Sequence, residues 1–318
     1  IQVFSVQGAD FDEDYHGKTM ARCILESRSL KELDLSNVTF EDPKSFYEMA
    51  NGLLNERCRL GSLKLRGIAF GQLEGKVMQF ILMRNKSLQT LDLSGCATDS
   101  PENLENVFCK FDQFCNVRTL VAENLNADFN YIVEVFGEAL GLNTKLEGLS
   151  LKENKLKQPQ YCNFWELMSE NRSLRRINIA KTDVTDKVCQ KISIYLQSPD
   201  LRLQDLNLSK NQIAAEGLIA LAEALHVNKS LTRLNLAQNL IREGGLPEFV
   251  EALKVNEHLE ELCLSFNKIN NPGLSALSGF LSKNSALKVL DISKNLFSDA
   301  GFSDFARELA HNTGIESL

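Results

Sequence analysis

The sequence predicts an α/β solenoid, a right-handed horseshoe with a parallel β-sheet on its concave face and α-helices on its convex face. Two observations lead there. The pattern L-x-x-L-x-L-x-x-N recurs along the whole 318-residue chain, and inside each copy the apolar period switches from two to 3.6, so that a short strand is followed by a helix. Length alone, at about 150 residues per domain, would suggest two domains. The unbroken repeat instead predicts one repeat domain over 1–318.

The N-terminal copies are degenerate and start at Ile1, Leu30, Leu60, Leu88 and Val117. A clear copy follows at Leu146-Leu149-Leu151-Asn154, then a degenerate one at Leu174. Four clear copies start at Leu203, Leu231, Leu259 and Leu287, and a truncated one at Ile315. The starts are 28 to 30 residues apart, which gives eleven repeats and a partial twelfth. Alternate leucines of each strand point to one side and bury against the helix behind it. Leu218, Leu221, Ala222 and Leu225 fall at i, i+3, i+4 and i+7, as do Leu246, Phe249, Val250 and Leu253, and Phe302, Phe305, Ala306 and Leu309; each set is the buried stripe of an amphipathic helix. Strands about 4.8 Å apart and helices 8–10 Å apart curl the stack, with the sheet inside.

Helix starts are marked where a capping side chain precedes proline, at Asp42-Pro43, Ser100-Pro101 and Asn271-Pro272. Three residues before most strands stands an asparagine: Asn85, Asn143, Asn171, Asn228, Asn256, Asn284 and Asn312. That position predicts a left-handed helix stop. A second asparagine series, Asn154, Asn211, Asn239, Asn267 and Asn295, predicts a buried ladder that satisfies backbone groups where the strand turns away. Ala9, Val38, Ile68, Cys96 and Leu125 occupy that column in the N-terminal copies and cannot bond both ways, so this half is expected to be less regular.

The period, the consensus and the helical second half resemble the ribonuclease-inhibitor-like class of leucine-rich repeats over essentially the whole chain. The strand entry N-x-x-L, as in Asn85-Lys86-Ser87-Leu88 and Asn228-Lys229-Ser230-Leu231, is also similar to the actin-regulatory repeats of tropomodulin and CARMIL. The resemblance implies an intracellular recognition scaffold. The chain departs from ribonuclease inhibitor in its modest cysteine content and in placing its one Trp, Trp165, in a helical segment. It departs from NOD-like receptor repeats in having cysteine in the ladder column only at Cys96.

Composition narrows the partners. Lys and Arg number 35 against 42 Asp and Glu, a net charge of −7, which gives no general attraction to nucleic acid or anionic membrane. No segment approaches the roughly 18 apolar residues of a membrane helix. The eight cysteines are scattered without metal-ligand spacing, as expected in a reducing, cytoplasmic setting. The apolar first strand and the end at Leu318 lack polar caps, so the chain is expected to be a piece of a longer one. No cofactor or metal is expected: Gly71-Gln72-Leu73-Glu74-Gly75-Lys76 is one residue short of a phosphate loop and reads as a turn, and the four histidines stand far apart. His226 and His258 occupy matching places where a ring can meet helix-end carbonyls.

Function therefore rests on the positions the repeat leaves free. The strand-centre column runs Ser5, Asp34, Lys64, Asp92, Val121, Ser150, Asn178, Asn207, Asn235, Cys263 and Asp291. The turn column after it includes Lys181, Lys210, Gln238, Phe266 and Lys294. With Lys152, Arg176 and Arg233 these form a predicted basic strip carrying an exposed Phe266. One reading is a solvated face balanced by Glu153 and Asp205; the other is a site for an acidic protein surface, with Phe266 as anchor. The function expected is a non-catalytic protein-binding scaffold. The alternatives are a GTPase activator similar to Ran GTPase-activating protein, or an architectural subunit bound through its helices.

Overall fold

The computed structural model describes residues 2–318, so the copy expected to start at Ile1 begins outside the described residues. The chain is an α/β solenoid that divides into two compact units. The first holds the residues up to Asn154 together with Leu167–Leu174, the second Lys155–Glu166 and Arg175–Leu318.

In the first unit β1 (Val3–Ser5), β3 (Glu32–Asp34), β5 (Ser62–Lys64), β7 (Thr90–Asp92), β9 (Thr119–Val121) and β10 (Gly148–Ser150) pair in parallel, each with the next. Helices α1 (Asp14–Glu26), α2 (Pro43–Leu54), α3 (Gln72–Arg84), α4 (Pro101–Phe108) and α5 (Phe129–Leu142) connect them. The second unit holds α6 (Gln158–Leu167) except its last residue and pairs β11 (Arg176–Asn178), β12 (Asp205–Asn207), β13 (Arg233–Asn235), β14 (Glu261–Cys263) and β15 (Val289–Asp291) in parallel. Its remaining helices are α7 (Asp186–Leu196), α8 (Ala215–Leu225), α9 (Leu246–Val255), α10 (Asn271–Ser278) and α11 (Asp299–Leu309).

The core of each unit lies between its sheet and its helices, as the two periods require. In the second unit Leu206, Leu234, Leu262 and Leu290 of the strands and Leu221, Phe249, Leu277 and Phe305 of the helices are all buried. Each such side chain contributes about 1.5–3 kcal/mol when removed from water. Trp165 is buried in α6, its ring 5.5 Å from that of Tyr195. In α11 the expected stripe is only partly covered, with Phe305 buried and Phe302 36% exposed.

The asparagine ladder forms as expected. Nδ2 of Asn239 donates to Leu208 O and Leu236 O, both at 3.0 Å, while its Oδ1 accepts the Ile213 N–H at 3.1 Å. Asn267 repeats the arrangement one copy on. Where the N-terminal copies lack the asparagine, backbone takes over. Short parallel pairs join β2 (Asp10–Phe11) to β4 (Thr39–Phe40), and β6 (Ala69–Phe70) to β8 (Ala97–Thr98), immediately after the ladder column. The carbonyls of Leu35, Leu65 and Leu93, at the place where a ladder carboxamide would donate, accept the N–H groups of Val38, Ile68 and Cys96 in the same repeat.

The helix-end asparagines correct the sequence reading. None is left-handed: Asn85 has φ −69° and ψ 127°, and Asn143 has φ −76° and ψ 133°. Their side chains do the work instead. Nδ2 of Asn256 donates to Leu225 O at 2.8 Å and Asn228 O at 3.1 Å, while Oδ1 accepts the N–H groups of His258 and Leu259. A bonded side chain closes the turn that a left-handed residue was expected to close. At the helix starts Asp42 caps through the Lys44 N–H at 2.9 Å. Ser100 holds the cap position without a side-chain bond. Asn270 rather than Asn271 caps α10, accepting from Gly273 N at 3.0 Å, and Asn271 accepts the Ser298 N–H of the following repeat.

Candidate partner-binding face

Three-residue strands leave two side chains per strand on the outer face of the second unit. Register aligns Arg176, Asp205, Arg233, Glu261 and Val289 in one row, and Asn178, Asn207, Asn235, Cys263 and Asp291 in the next. The second row bends the chain. Oδ1 of Asn207 accepts the N–H of Ser209 at 3.0 Å and that of Asn235 the N–H of Ala237 at 2.9 Å, a local loop that Asn and Asp form readily.

The residue after this loop is left-handed in copy after copy: Lys181 (φ 57°), Lys210 (58°), Gln238 (55°), Phe266 (53°) and Lys294 (56°). In the first unit the same place is held by Gly8, Asn37, Gly67, Gly95, Asn124 and Glu153. Glycine and asparagine tolerate this conformation, whereas other side chains pay roughly 1–2 kcal/mol for it. Backbone bonds carry the column from strand to strand, Lys181 N to Ser209 O and Phe266 N to Ser293 O among them.

The structure brings six of the predicted residues together in this unit. Arg176, Lys181, Lys210 and Lys294 are exposed. Phe266 is 51% exposed, so its ring is not covered by a neighbouring loop. Arg233 is bonded by Nε to Asp205 Oδ2 at 3.1 Å. Among the described residues no ion pair engages Arg176 or Lys210. Lys152 lies in the first unit, 3.4 Å from Glu153 and 4.0 Å from Glu123. Around it the face is internally neutralised, Lys64 with Glu32 and Arg66 with Asp92, both at 2.6 Å. Lys152 therefore sits among matched charges, and exposed pairs of this kind contribute only about 0–1 kcal/mol each.

Beyond β13 the second row changes character. Cys263 Sγ donates to Asp291 Oδ2 at 3.2 Å and lies 3.1 Å from Ser265 Oγ. Burial pushes the thiol above its ordinary pKa, so it is neutral at pH 7 and a poor nucleophile. Burial opposes ionisation of Asp291, but hydrogen bonds from Ser293, Cys263 and Ser265 outweigh it and hold the carboxyl below its ordinary value. Among the described residues no group of three His, Cys, Asp or Glu could hold a metal ion, and no helix is long and apolar enough to cross a membrane. The ring of His226 meets Ala222 O at 3.0 Å at the end of α8, as its position suggested; among the described residues His258 bonds only through its backbone.

Sequence reasoning saw Asn178, Asn207 and Asn235 only as small polar residues. Their signal was the choice of amide over acid in a column that elsewhere carries aspartate at Asp34, Asp92 and Asp291.

The Leucine Rich repeat family matches residues 203–222 and 255–278. The chain is similar to NACHT, LRR and PYD domains-containing protein 12 of Mus musculus, 25% identical over 212 residues that cover 67% of this chain and 17% of that protein. It is similar to NACHT, LRR and PYD domains-containing protein 13 of Homo sapiens, 25% identical over 257 residues that cover 71% and 24%. The chain thus spans about a fifth of the length of the curated relatives it matches. Among solved structures, an internalin from Listeria monocytogenes str. 4b F2365 superposes with a TM-score of 0.58 at 15% identity, over 100% of this chain and 86% of that one. That likeness concerns the fold alone.

Proposed function

We propose that this chain of leucine-rich repeats is a non-catalytic protein-interaction scaffold, and that the sheet side of its second unit receives an acidic surface of a partner protein. Leucine-rich repeats generally serve protein–protein interaction, which is the setting for the reading. The observation that carries it is the pairing, on one face, of two exposed cations that make no ion pair among the described residues, Arg176 and Lys210, with the half-exposed ring of Phe266. In a chain of net charge −7 such a face is a local exception, and it steers an acidic partner while the aromatic ring supplies buried area. Lys181, Arg233 and Lys294 extend the positive field. Lys152, engaged by two glutamates, is placed outside the docking residues.

The setting proposed is cytoplasmic. It fits eight free cysteines, several of them buried. The test is affinity capture from native lysate with the wild type and with an Arg176→Glu, Lys210→Glu double variant, followed by quantitative identification of bound proteins. Acidic proteins lost from the variant support the docking face; an identical captured set places the interaction elsewhere on the molecule.

A further inference from the structure

The second outward row of the second unit contains an unused chemical capacity. Oδ1 of Asn178, Asn207 and Asn235 accepts the N–H of Ala180 (3.2 Å), Ser209 (3.0 Å) and Ala237 (2.9 Å). Aspartate does the same work in the same column, Asp34 for Ser36, Asp92 for Ser94 and Asp291 for Ser293, each at 3.0 Å. Where this column supplies a side-chain acceptor, aspartate serves as well as asparagine, and the same left-handed turn forms after Lys64, Val121 and Cys263, which lack such an oxygen; the turn does not need the amide. Electrostatics would favour the acid here, since Arg176 and Arg233 flank Asp205 in the adjoining row and Lys210 follows in the turn. What the amide adds is Nδ2, a two-proton donor. Among the described residues, none of these three Nδ2 groups is bonded to an acceptor of the protein.

Strands about 4.8 Å apart set the three groups in a row spanning roughly 10 Å. Asp205, the one acidic side chain among the outward strand residues of β11–β13, is already taken by Arg233. The row stops at β14, where Cys263 and then Asp291 replace asparagine and Glu261 stands exposed in the adjoining row.

We propose that Asn178, Asn207 and Asn235 form a carboxylate-binding rail, on which an acidic polypeptide segment lies across β11, β12 and β13. Each Nδ2 donates to an Asp or Glu oxygen of that segment, Arg176 and Lys210 supply the net charge, and Glu261 and Asp291 end the footprint by repulsion. This rests on the docking face proposed above and adds that the acidic groups are held by direct hydrogen bonds. A carboxylate-bearing protein is favoured over a phosphate polymer because, among the described residues, the outward positions of β11, β12 and β13 carry two arginines and no aromatic ring on which bases could stack.

The test uses the full chain and a fluorescent poly-L-glutamate peptide, read by anisotropy at low salt. Asn207→Asp and Asn235→Asp keep the turn acceptor and replace the donor with a like charge; each is expected to weaken binding about tenfold with an unchanged melting temperature. Asn207→Ser keeps an acceptor, removes the amide donor and adds no charge, and is expected to weaken binding about threefold. The serine variant also carries the test if an aspartate variant fails to fold. Full affinity in Asn207→Ser, or in both aspartate variants while Arg176→Gln and Lys210→Gln weaken binding, overturns the rail and leaves the acidic-partner reading standing. Absence of glutamate-peptide binding by the wild type overturns both. An oligouridylate of equal charge that binds more tightly than the peptide overturns the choice of ligand.

Discussion

The backbone N–H of Asn239 donates to Oδ1 of Asn267 at 3.1 Å, so one ladder asparagine satisfies the backbone of the ladder asparagine before it. Asn267 also accepts from Ile241 N and donates to Leu236 O and Leu264 O. Replacing Asn267 with Leu removes all of these and orphans the buried N–H groups of Asn239 and Ile241, while Leu236 O and Leu264 O keep the Nδ2 groups of Asn239 and Asn295. A loss of about 3 kcal/mol is expected, read as a lower urea midpoint with an unchanged slope. A loss below 1 kcal/mol would mean that water replaces the ladder.

Phe266 combines an unfavourable backbone with a half-exposed ring. Phe266→Gly and Phe266→Ala both delete the ring, but only glycine relieves the left-handed strain. The glycine variant is expected to be more stable than the alanine variant by about 1 kcal/mol, while both lose partner affinity equally. Equal denaturation midpoints would show that the turn relaxes freely and carries no strain.

Asp291 gives a pH signature. Its carboxyl is held below its ordinary value of 3.8, so the folded state binds its proton less readily than the unfolded chain does. The stability this contributes is present above the ordinary value and is lost as pH falls through the folded pKa. Urea midpoints of wild type and Asp291→Asn should therefore differ at neutral pH and converge as the solution is acidified below 3.8. A difference that stays constant through that range would assign the effect to packing.

The cysteines should sort by burial. Cys96 is pushed up to about 12 and Cys115 to about 11, both chiefly by burial, and Cys189 is shifted the same way. Cys23 is exposed. Alkylation of the native protein at pH 8 is expected at Cys23 first, with Cys96, Cys115 and Cys189 protected until denaturant is added. Peptide mapping by mass spectrometry reads the order, and early labelling of Cys189 would reveal local opening of α7.

Apolar spacing was enough to read most of the buried side chains, the partly covered stripe of α11 excepted. Leu206, Leu234 and Leu262 face inward because period two allows nothing else, and Phe249 with Leu253 marks the inner face of α9. Spacing does not report the sign of φ. The left-handed residues proved to be Lys210, Gln238 and Phe266, which advertise no such preference, while Asn85, Asn143, Asn171 and Asn256, which do, are extended. Local preference was overridden in both columns by bonds to the adjacent repeat. The short pairs such as β6 with β8 were hidden for a related reason: Ala69-Phe70 and Ala97-Thr98 gain strand character only from each other. In the candidate face the charged residues were visible as a column, whereas the partners of Lys152 and Arg233 depended on side-chain reach.

The helix-end asparagines tie every C-terminal repeat to the one before it at a fixed offset: Asn228, Asn256, Asn284 and Asn312 stand 28 residues apart, and Nδ2 of each of the last three reaches the backbone oxygen of the previous asparagine. Such a chain can be lengthened by copying a whole module, since the duplicate brings its own clasp and leaves one for its successor. Loss of a single residue between clasps has no comparable remedy, so variation in this region should arrive as complete copies or as substitutions, seldom as small gaps.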